Sequence, residues 1–401
     1  MVQHYPIRWF VVVTGQSSVT NQGSWNIWNG FGWLVSSGTW AAFETSDIIS
    51  ENHPGWKSKT SFSDSGGPFY LHKKTETVSP FGISAWNTPG SNWRYEGTVD
   101  ATNLYNPPVL PQASLISPGA LDALGATAIA RCEPTKPVFQ GATAIGESLQ
   151  ELPRIPLNGV LKAKTKDALK LPGDEFLNVQ FGWLPMVSDL KKFCYAVKHH
   201  NKILKSFYAG SGKKTRTRYA FPDKLESVSE TRDNMIISAA LNSFFKGSVT
   251  AILKERTWFA GAFKYYVPVS GDALDNLARA EAEADKLLGL RLTPEVVWNL
   301  TPWSWAVDWF SNAGDIFHNI SALGHDGLAM QYGYIMHESK STTAVNNKDL
   351  GCSKVTVDKY CQRQNATPYG FGLNLGVDLT NTQKAVIAAL GLSRGSSPWL
   401  R

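Results

Sequence analysis

The sequence predicts an α+β protein in which an antiparallel β-sheet region and a helical bundle region are each built from non-contiguous segments. Turn signals cut the first 110 residues into short runs dense in Thr, Ser, Gly, Asn, Trp and Tyr. Later stretches carry apolar residues at helical spacing. The two kinds of stretch alternate in blocks, β then α three times over, and not in βαβ units, so a doubly wound parallel sheet is excluded as the expectation. The block boundaries place 1–118, 212–270 and 326–376 in the sheet region, and 119–211, 271–325 and 377–401 in the helical region and its tail. A chain of 401 residues, 43% hydrophobic, can bury a sizeable core and hold more than one structural region. Its fifteen tryptophans imply much rigid aromatic surface, either packed or in contact with a partner.

In chain order, Asn29-Gly30, Pro54-Gly55, Gly66-Gly67-Pro68 and Pro89-Gly90 mark turns between strands. Residues 119–152 turn to Ala, Leu and Ile, but Pro134 and Pro137 interrupt any single helix there. From 161 to 208 the pattern is helical. Val187, Leu190, Cys194, Val197 and Leu204 form an apolar stripe, with Lys191, Lys192, Lys198, Lys202 and Lys205 on other faces. The segment 210–218, GSGKKTRTR, reads as a flexible basic turn. Beyond it, Phe259, Phe263, Tyr265 and Val267 fall on one face of a strand, with Arg256, Trp258 and Lys264 on the other. Residues 271–290 read as an amphipathic helix with Leu274, Leu277, Ala278, Ala284 and Leu288 inside. Residues 300–320, LTPWSWAVDWFSNAGDIFHNI, read as one long helix capped by Thr301 with Pro302 first inside it. At about 30 Å it would carry Trp305, Trp309, Ala313, Ile316 and Ile320 as a buried stripe. Asp308 is the charge in it whose burial needs a partner, and a hydrogen-bonded core Asp is preferred to a catalytic one. Strands follow over 328–372, then a short helix over 382–392.

Charge is unevenly spread. The net +6 arises in 151–218, where 14 Lys and Arg face 5 Asp and Glu, while the flanking segments are near neutral. A local surplus of this kind suits a polyanion. Lys213, Lys214, Arg216 and Arg218, beside the lysine-faced helix, can reach phosphates, and Tyr208, Tyr219 and Phe221 are near enough to stack on unpaired bases. The same lysines also fit a solvated face with no ligand.

Other chemistries find little footing. Ser63–Pro68, SDSGGP, resembles the nucleophile segment of chymotrypsin-like proteases, which would make Ser65 a hydrolase nucleophile. Only His4 and His53 precede it, though, and neither sits in that family's context. Adjacent His199 and His200 cannot share one ligand on a helix, and His318 and His325 straddle an expected helix end, so no metal site and no cofactor are expected. Asn-x-Ser/Thr triplets at Asn299, Asn319 and Asn365 are read as chance. Cys132, Cys194, Cys352 and Cys361 lack C-x-x-C spacing; Cys352 and Cys361 could meet across a hairpin or remain buried thiols. The first residues are too short an apolar run for a secretory signal, and no stretch approaches the ~20 apolar residues of a membrane span.

Two segments carry a resemblance. Residues 178–193, NVQFGWLPMVSDLKKF, and 300–310, LTPWSWAVDWF, resemble signature stretches of the maturation proteins of single-stranded RNA bacteriophages (leviviruses). The specific parts are Gln180, Phe181, Gly182, Trp183, Leu184 and Pro185, then Pro302, Trp303, Ser304, Trp305, Val307, Asp308 and Trp309. The resemblance implies an elongated, non-enzymatic virion protein, made in the host cytoplasm. It would be present as a single copy in place of a coat-protein dimer. Its implied partners are the 3′ part of the genomic single-stranded RNA, the phage coat protein and a host pilus. Some members of the family also act as lysis effectors against cell-wall synthesis. No family motif for RNA contact transfers, so Lys191, Lys192, Lys198, Lys202, Lys205, Lys213, Lys214, Arg216 and Arg218 are nominated by charge alone. Pilus attachment is assigned to the far end of the near-neutral β region.

Overall fold

A computed structural model describes residues 10–51, 66–86, 94–99, 103–104, 109–138, 140, 143, 184–236, 244–267, 273–289, 293–301, 304–325, 328–349, 351–373, 380–381 and 383–386. Eleven described strands form one sheet: β1 (Phe10–Trp28), β2 (Leu34–Glu51), β3 (Phe69–Ser79), β4 (Phe81–Trp86), β5 (Arg94–Val99), β6 (Asn103–Leu104), β7 (Thr215–Ala220), β8 (Lys224–Ile236), β9 (Phe244–Lys264), β10 (Ala329–Asn347) and β11 (Cys352–Asn365). Their order is β4-β5-β1-β2-β3-β11-β10-β9-β8-β6, with β7 also on β9. The helices are α1 (Pro118–Cys132), α2 (Leu184–Gly210), α3 (Ala273–Leu288), α4 (Pro294–Leu300), α5 (Ser304–Phe310) and α6 (Ala313–His325). The fold is thus mixed α+β with a mostly antiparallel sheet. Two compact units divide the chain, one of 1–121, 219–259 and 334–366, the other of 122–218, 260–333 and 367–401.

In the first unit, β1 and β2 form a hairpin whose Trp and Gly residues interlock. Trp25 stands opposite Gly38, and Gly23 opposite Trp40. A Cβ on Gly38 would come within 2.5 Å of the Trp25 ring, and one on Gly23 within 2.6 Å of the Trp40 ring. Trp40 donates its Nε1–H to the Thr98 carbonyl at 2.8 Å. Some of the tryptophans therefore pack across strands, while Trp33 at the hairpin tip is 72% exposed. On β10 the inward row is largely polar, with His337, Ser339, Ser341 and Asn347 all buried. The segment 109–117 supplies partners there. Ser114 N–H donates to Ser339 Oγ at 3.2 Å, and Gln362 donates to the Ile116 carbonyl at 2.9 Å. Burial pushes the His337 imidazole below its ordinary pKa, and Thr257 Oγ1 lies 3.0 Å from its Nδ1.

The alternating strand reading holds: Phe259, Phe263, Tyr265 and Val267 are all buried. So does the interruption at Pro134, since α1 starts on Ser117, whose Oγ accepts from Ala120 N–H, and ends at Cys132 before that proline. Cys352 and Cys361 cannot meet across a hairpin, because both lie on β11, roughly 30 Å apart. No disulfide joins the described cysteines.

The predicted long helix over 300–320 is instead three. Thr301 has φ −71° and ψ 129°, an extended conformation that ends α4. Pro302 explains this, because its ring disfavours helical geometry in the preceding residue. The cap-and-proline signal works one step earlier, where Thr293 accepts from Val296 N–H and Pro294 opens α4. Thr293→Ala is expected to cost about 1 kcal/mol, measurable as a lowered unfolding midpoint. The second break falls at Ser311–Asn312. Ser311 bridges to Leu373, and the Asp308 carboxylate accepts from Gly314 N–H at 2.9 Å to cap α6. Asp308 is exposed, so it carries no burial cost. The break also resets the helical register, leaving Ile320 38% exposed while Ala313, His318, Asn319, Ser321 and Ala322 turn inward.

Two buried asparagines, two turns apart, dock α6. Asn312 Nδ2 donates to the Ala123 and Gly370 carbonyls at 3.1 and 2.7 Å, and its Oδ1 accepts from Gly372 N–H. Asn319 Nδ2 donates to the Ala126 and Pro368 carbonyls, both at 2.9 Å. Asn319, one of the Asn-x-Ser/Thr triplets, is therefore a core residue. The last helical turn begins after Thr380, which exchanges hydrogen bonds with Gln383 as a capping box. Residues of the expected 382–392 helix beyond Val386 lie outside the described set.

Candidate nucleic-acid interface

Helix α2 carries two adjacent apolar stripes, and the structure packs the one that the sequence pattern did not single out. Ala196 and Phe207 are buried and Ile203 and Leu204 half-buried, with α3 packed against this helix. Phe207 stacks on Tyr265 with centroids 5.1 Å apart, and Lys286 Nζ lies over the Phe207 ring at 5.6 Å. The expected inner stripe is open to solvent: Leu190 is 60% and Val197 54% exposed, and Cys194 is exposed. Leu204 is the member of that stripe that turns inward, and the Val187 side chain lies outside the described residues.

The nominated cations stand on the solvent side of this helix and its continuation. Lys191, Lys192, Lys198, Lys202 and Lys205 are exposed on α2, and Lys213 and Lys214 on the turn after it. Arg216 and Arg218 are not in a turn. They alternate with the half-buried Thr215, Thr217 and Tyr219 on β7, which puts both guanidinium groups on its outer face. Lys192 pairs with Asp189 at 3.1 Å, and Lys214 sits over the Tyr332 ring at 4.7 Å. Among the described residues the other seven face no carboxylate at ion-pair distance.

The turn is ordered, which corrects the expectation of flexibility. Gly212 N–H donates to the Tyr265 carbonyl at 2.8 Å, Lys213 N–H to Gly210 at 3.1 Å, and Val267 N–H to Ser211 Oγ at 2.8 Å. Gly212 has φ +71°, a left-handed conformation that favours glycine. Tyr265 donates its hydroxyl to the Phe207 carbonyl at 2.7 Å, and a Cβ on Gly210 would strike that oxygen at 2.2 Å. Glycine in this basic segment thus provides close packing under a fixed row of cations. Such a row can neutralise phosphates with little further loss of backbone entropy on binding.

The expected stacking aromatics are engaged elsewhere. Tyr208 donates to Glu283 and lies under Arg279 at 5.7 Å, and burial together with the Glu283 carboxylate raises its phenol pKa. Tyr219 and Phe221 meet edge to face at 4.9 Å. Among the motif residues, Leu184 is 53% and Val307 45% exposed, Ser304 is buried, and Pro185 and Trp309 are half-buried. Gln180, Phe181, Gly182, Trp183, Pro302 and Trp303, and the Trp305 side chain, lie outside the described residues. Ser65, His4 and His53 do too. The neighbouring Gly66 has φ +103°, and the Gly67 carbonyl accepts from Arg363 Nε at 2.9 Å.

The family model for phage maturation proteins matches residues 156–337. That region is of the phage maturation protein family. It holds both signature stretches and all nine nominated cations. Maturation proteins are structural components of the virion, and the family is not a known enzyme family. No curated protein matches the chain. No helix among the described residues is long and apolar enough to cross a membrane.

One buried cluster left almost no sign in the sequence. His318 lies between Glu133 Oε2 at 2.6 Å and Glu295 Oε2 at 2.9 Å. These approaches are short, though poorly aligned as hydrogen bonds. Burial alone would push the imidazole pKa down, but the two glutamates outweigh it and raise it to about 9. Burial works against the Glu295 carboxylate as well, yet His318, Lys136 and Gln140 bring its carboxyl below the ordinary value. A cavity of about 230 Å³ opens beside His318, lined also by Arg131, Lys136, Asn299 and Asp315. The sequence sign of this arrangement was His318, one of few ionisable residues on a helix expected to be buried.

Proposed function

We propose that this chain is the maturation protein of a single-stranded RNA phage virion, holding the 3′ part of the genomic RNA on the basic surface of α2, the 211–214 turn and β7. One observation carries the reading. The nine nominated cations stand on ordered, solvent-facing backbone inside the family-matched span, and eight of them face no described carboxylate. In this reading the protein is made in the host cytoplasm and enters the particle as a single copy in place of a coat-protein dimer.

The sheet unit would attach the particle to a host pilus. Supporting this, residues 9–43 contain no charged side chain and no histidine, and the β1–β2 tip presents Phe31, 87% exposed, beside Trp33. Asn29 Oδ1 accepts from Phe31 and Trp33 N–H at 3.0 and 2.9 Å, so these aromatics stand on a fixed loop suited to an uncharged protein partner.

Crosslinking and sequencing of RNA in purified particles tests the RNA assignment. Discrete crosslinks from the 3′ part of the genome to residues 191–218 are expected. Crosslinks confined to other surfaces would move the site, and an absence of bound RNA would end the proposal.

A further inference from the structure

We infer that Tyr195 and His199 form a stacking platform for unpaired RNA bases, set within the lysine ridge of α2. This rests on the reading of α2 as an RNA surface and goes beyond it by naming what part of the RNA is gripped. Tyr195 is 54% exposed, and its ring lies 4.3 Å from that of His199 at an angle of 32°. His199 donates Nδ1–H to the Tyr195 carbonyl at 3.0 Å, which fixes the imidazole and leaves Nε2 for a ligand. The pair is therefore held in place before any ligand arrives.

Its neighbours supply the rest. Lys191 and Lys192 lie four and three residues before Tyr195, Lys198 lies three after it, and Lys202 three after His199. At those spacings each cation is next to a ring on the helix surface. The packed face of α2, marked by Ala196 and Phe207, points elsewhere, so Tyr195 does not serve the core. Phosphate-binding cations around an aromatic pair match the way proteins hold single strands, with backbone charge neutralised and a base laid on a ring. A continuous duplex offers no free base face. The ligand class is thus a hairpin loop, bulge or single-stranded end of RNA.

The test uses the full-length protein with two probes, an unstructured pyrimidine-rich RNA strand and a blunt RNA duplex of equal length. Tyr195→Ala is expected to weaken binding of the single strand about 5- to 150-fold, the range for loss of one base–aromatic stack, and to leave duplex binding unchanged. Tyr195→Trp should retain single-strand binding. Equal weakening on both probes, or no weakening, would overturn the platform. Replacing Lys191, Lys198 and Lys202 with Ala separates the two levels of the inference. If that variant loses affinity and salt dependence while Tyr195→Ala changes nothing, only the platform fails. If it leaves both probes unaffected, the RNA reading of α2 fails with it. Loss of binding to phosphatidylglycerol vesicles in Tyr195→Ala, with RNA binding intact, would reassign the ridge to a lipid surface and also overturn the platform.

Discussion

Replacing His318 with Ala is expected to destabilise the unit containing α6 by about 3–5 kcal/mol, because it strands the Glu133 and Glu295 carboxylates in a buried site without their cation. Thermal unfolding followed by circular dichroism would read it as a lower midpoint; an unchanged midpoint would show that the three groups contribute no net stability. The pH dependence has a definite sign. The folded pKa of about 9 lies above the unfolded 6.5, so the stabilisation is complete below pH 6.5 and is lost as pH rises through about 9. Glu295 works in the opposite sense, since its carboxyl is held below 4.5 and its share is lost only as pH falls past that value. The wild-type midpoint should therefore drop between neutral pH and pH 10, while the variant, already lacking the imidazolium, should change less over that interval.

Removing the four cations Lys213, Lys214, Arg216 and Arg218 together is the second large effect expected. Each phosphate of a single-stranded ligand that is no longer neutralised reduces the steepness of log K against log salt by about 0.7, so four such phosphates amount to roughly 3. Affinity near physiological salt should fall by orders of magnitude, and the gap to wild type should narrow as salt rises. A titration at several salt concentrations checks both. An unaltered slope would show that the cluster is merely solvated. Because Arg216 and Arg218 project from the outer face of β7, their replacement should leave unfolding almost unchanged, and the binding defect can be read without a folding defect.

What the sequence made legible was governed by short-range patterning. The alternation through Phe259, Phe263, Tyr265 and Val267 identified β9 because a two-residue period directly reports which face is buried. The basic surplus marked α2 and its continuation for a similar reason, since composition carries charge without any need of tertiary packing. Residues 300–320 failed as a single helix because Trp305, Trp309, Ile316 and Ile320 keep nearly helical spacing in the sequence across the break at Ser311–Asn312, and a further break falls at Thr301. Those breaks depend on the Thr301–Pro302 clash and on the bridge from Ser311 to Leu373. The second of these joins segments far apart in the chain and leaves no local trace. On α2 the two stripes were equivalent on paper, and only the placement of α3 decides which is covered. The His318 cluster was hidden similarly, its three members coming from positions 133, 295 and 318.

The pairing of β3 with β11 has a consequence for the timing of folding. Phe69 stands opposite Arg363 and Ser79 opposite Ser353, so an early strand is completed by one that follows all the other described strands in the chain. During translation, β1, β2 and β3 can form a meander as soon as they emerge, but one edge of β3 stays unpaired until β11 is made. An open edge is a template for association with another chain, and wide sequence separation slows closure. Assembly of the first unit is thus tied to the synthesis of β11. A nascent chain halted before β11 would be an aggregation-prone intermediate, whereas the released chain can close its own sheet.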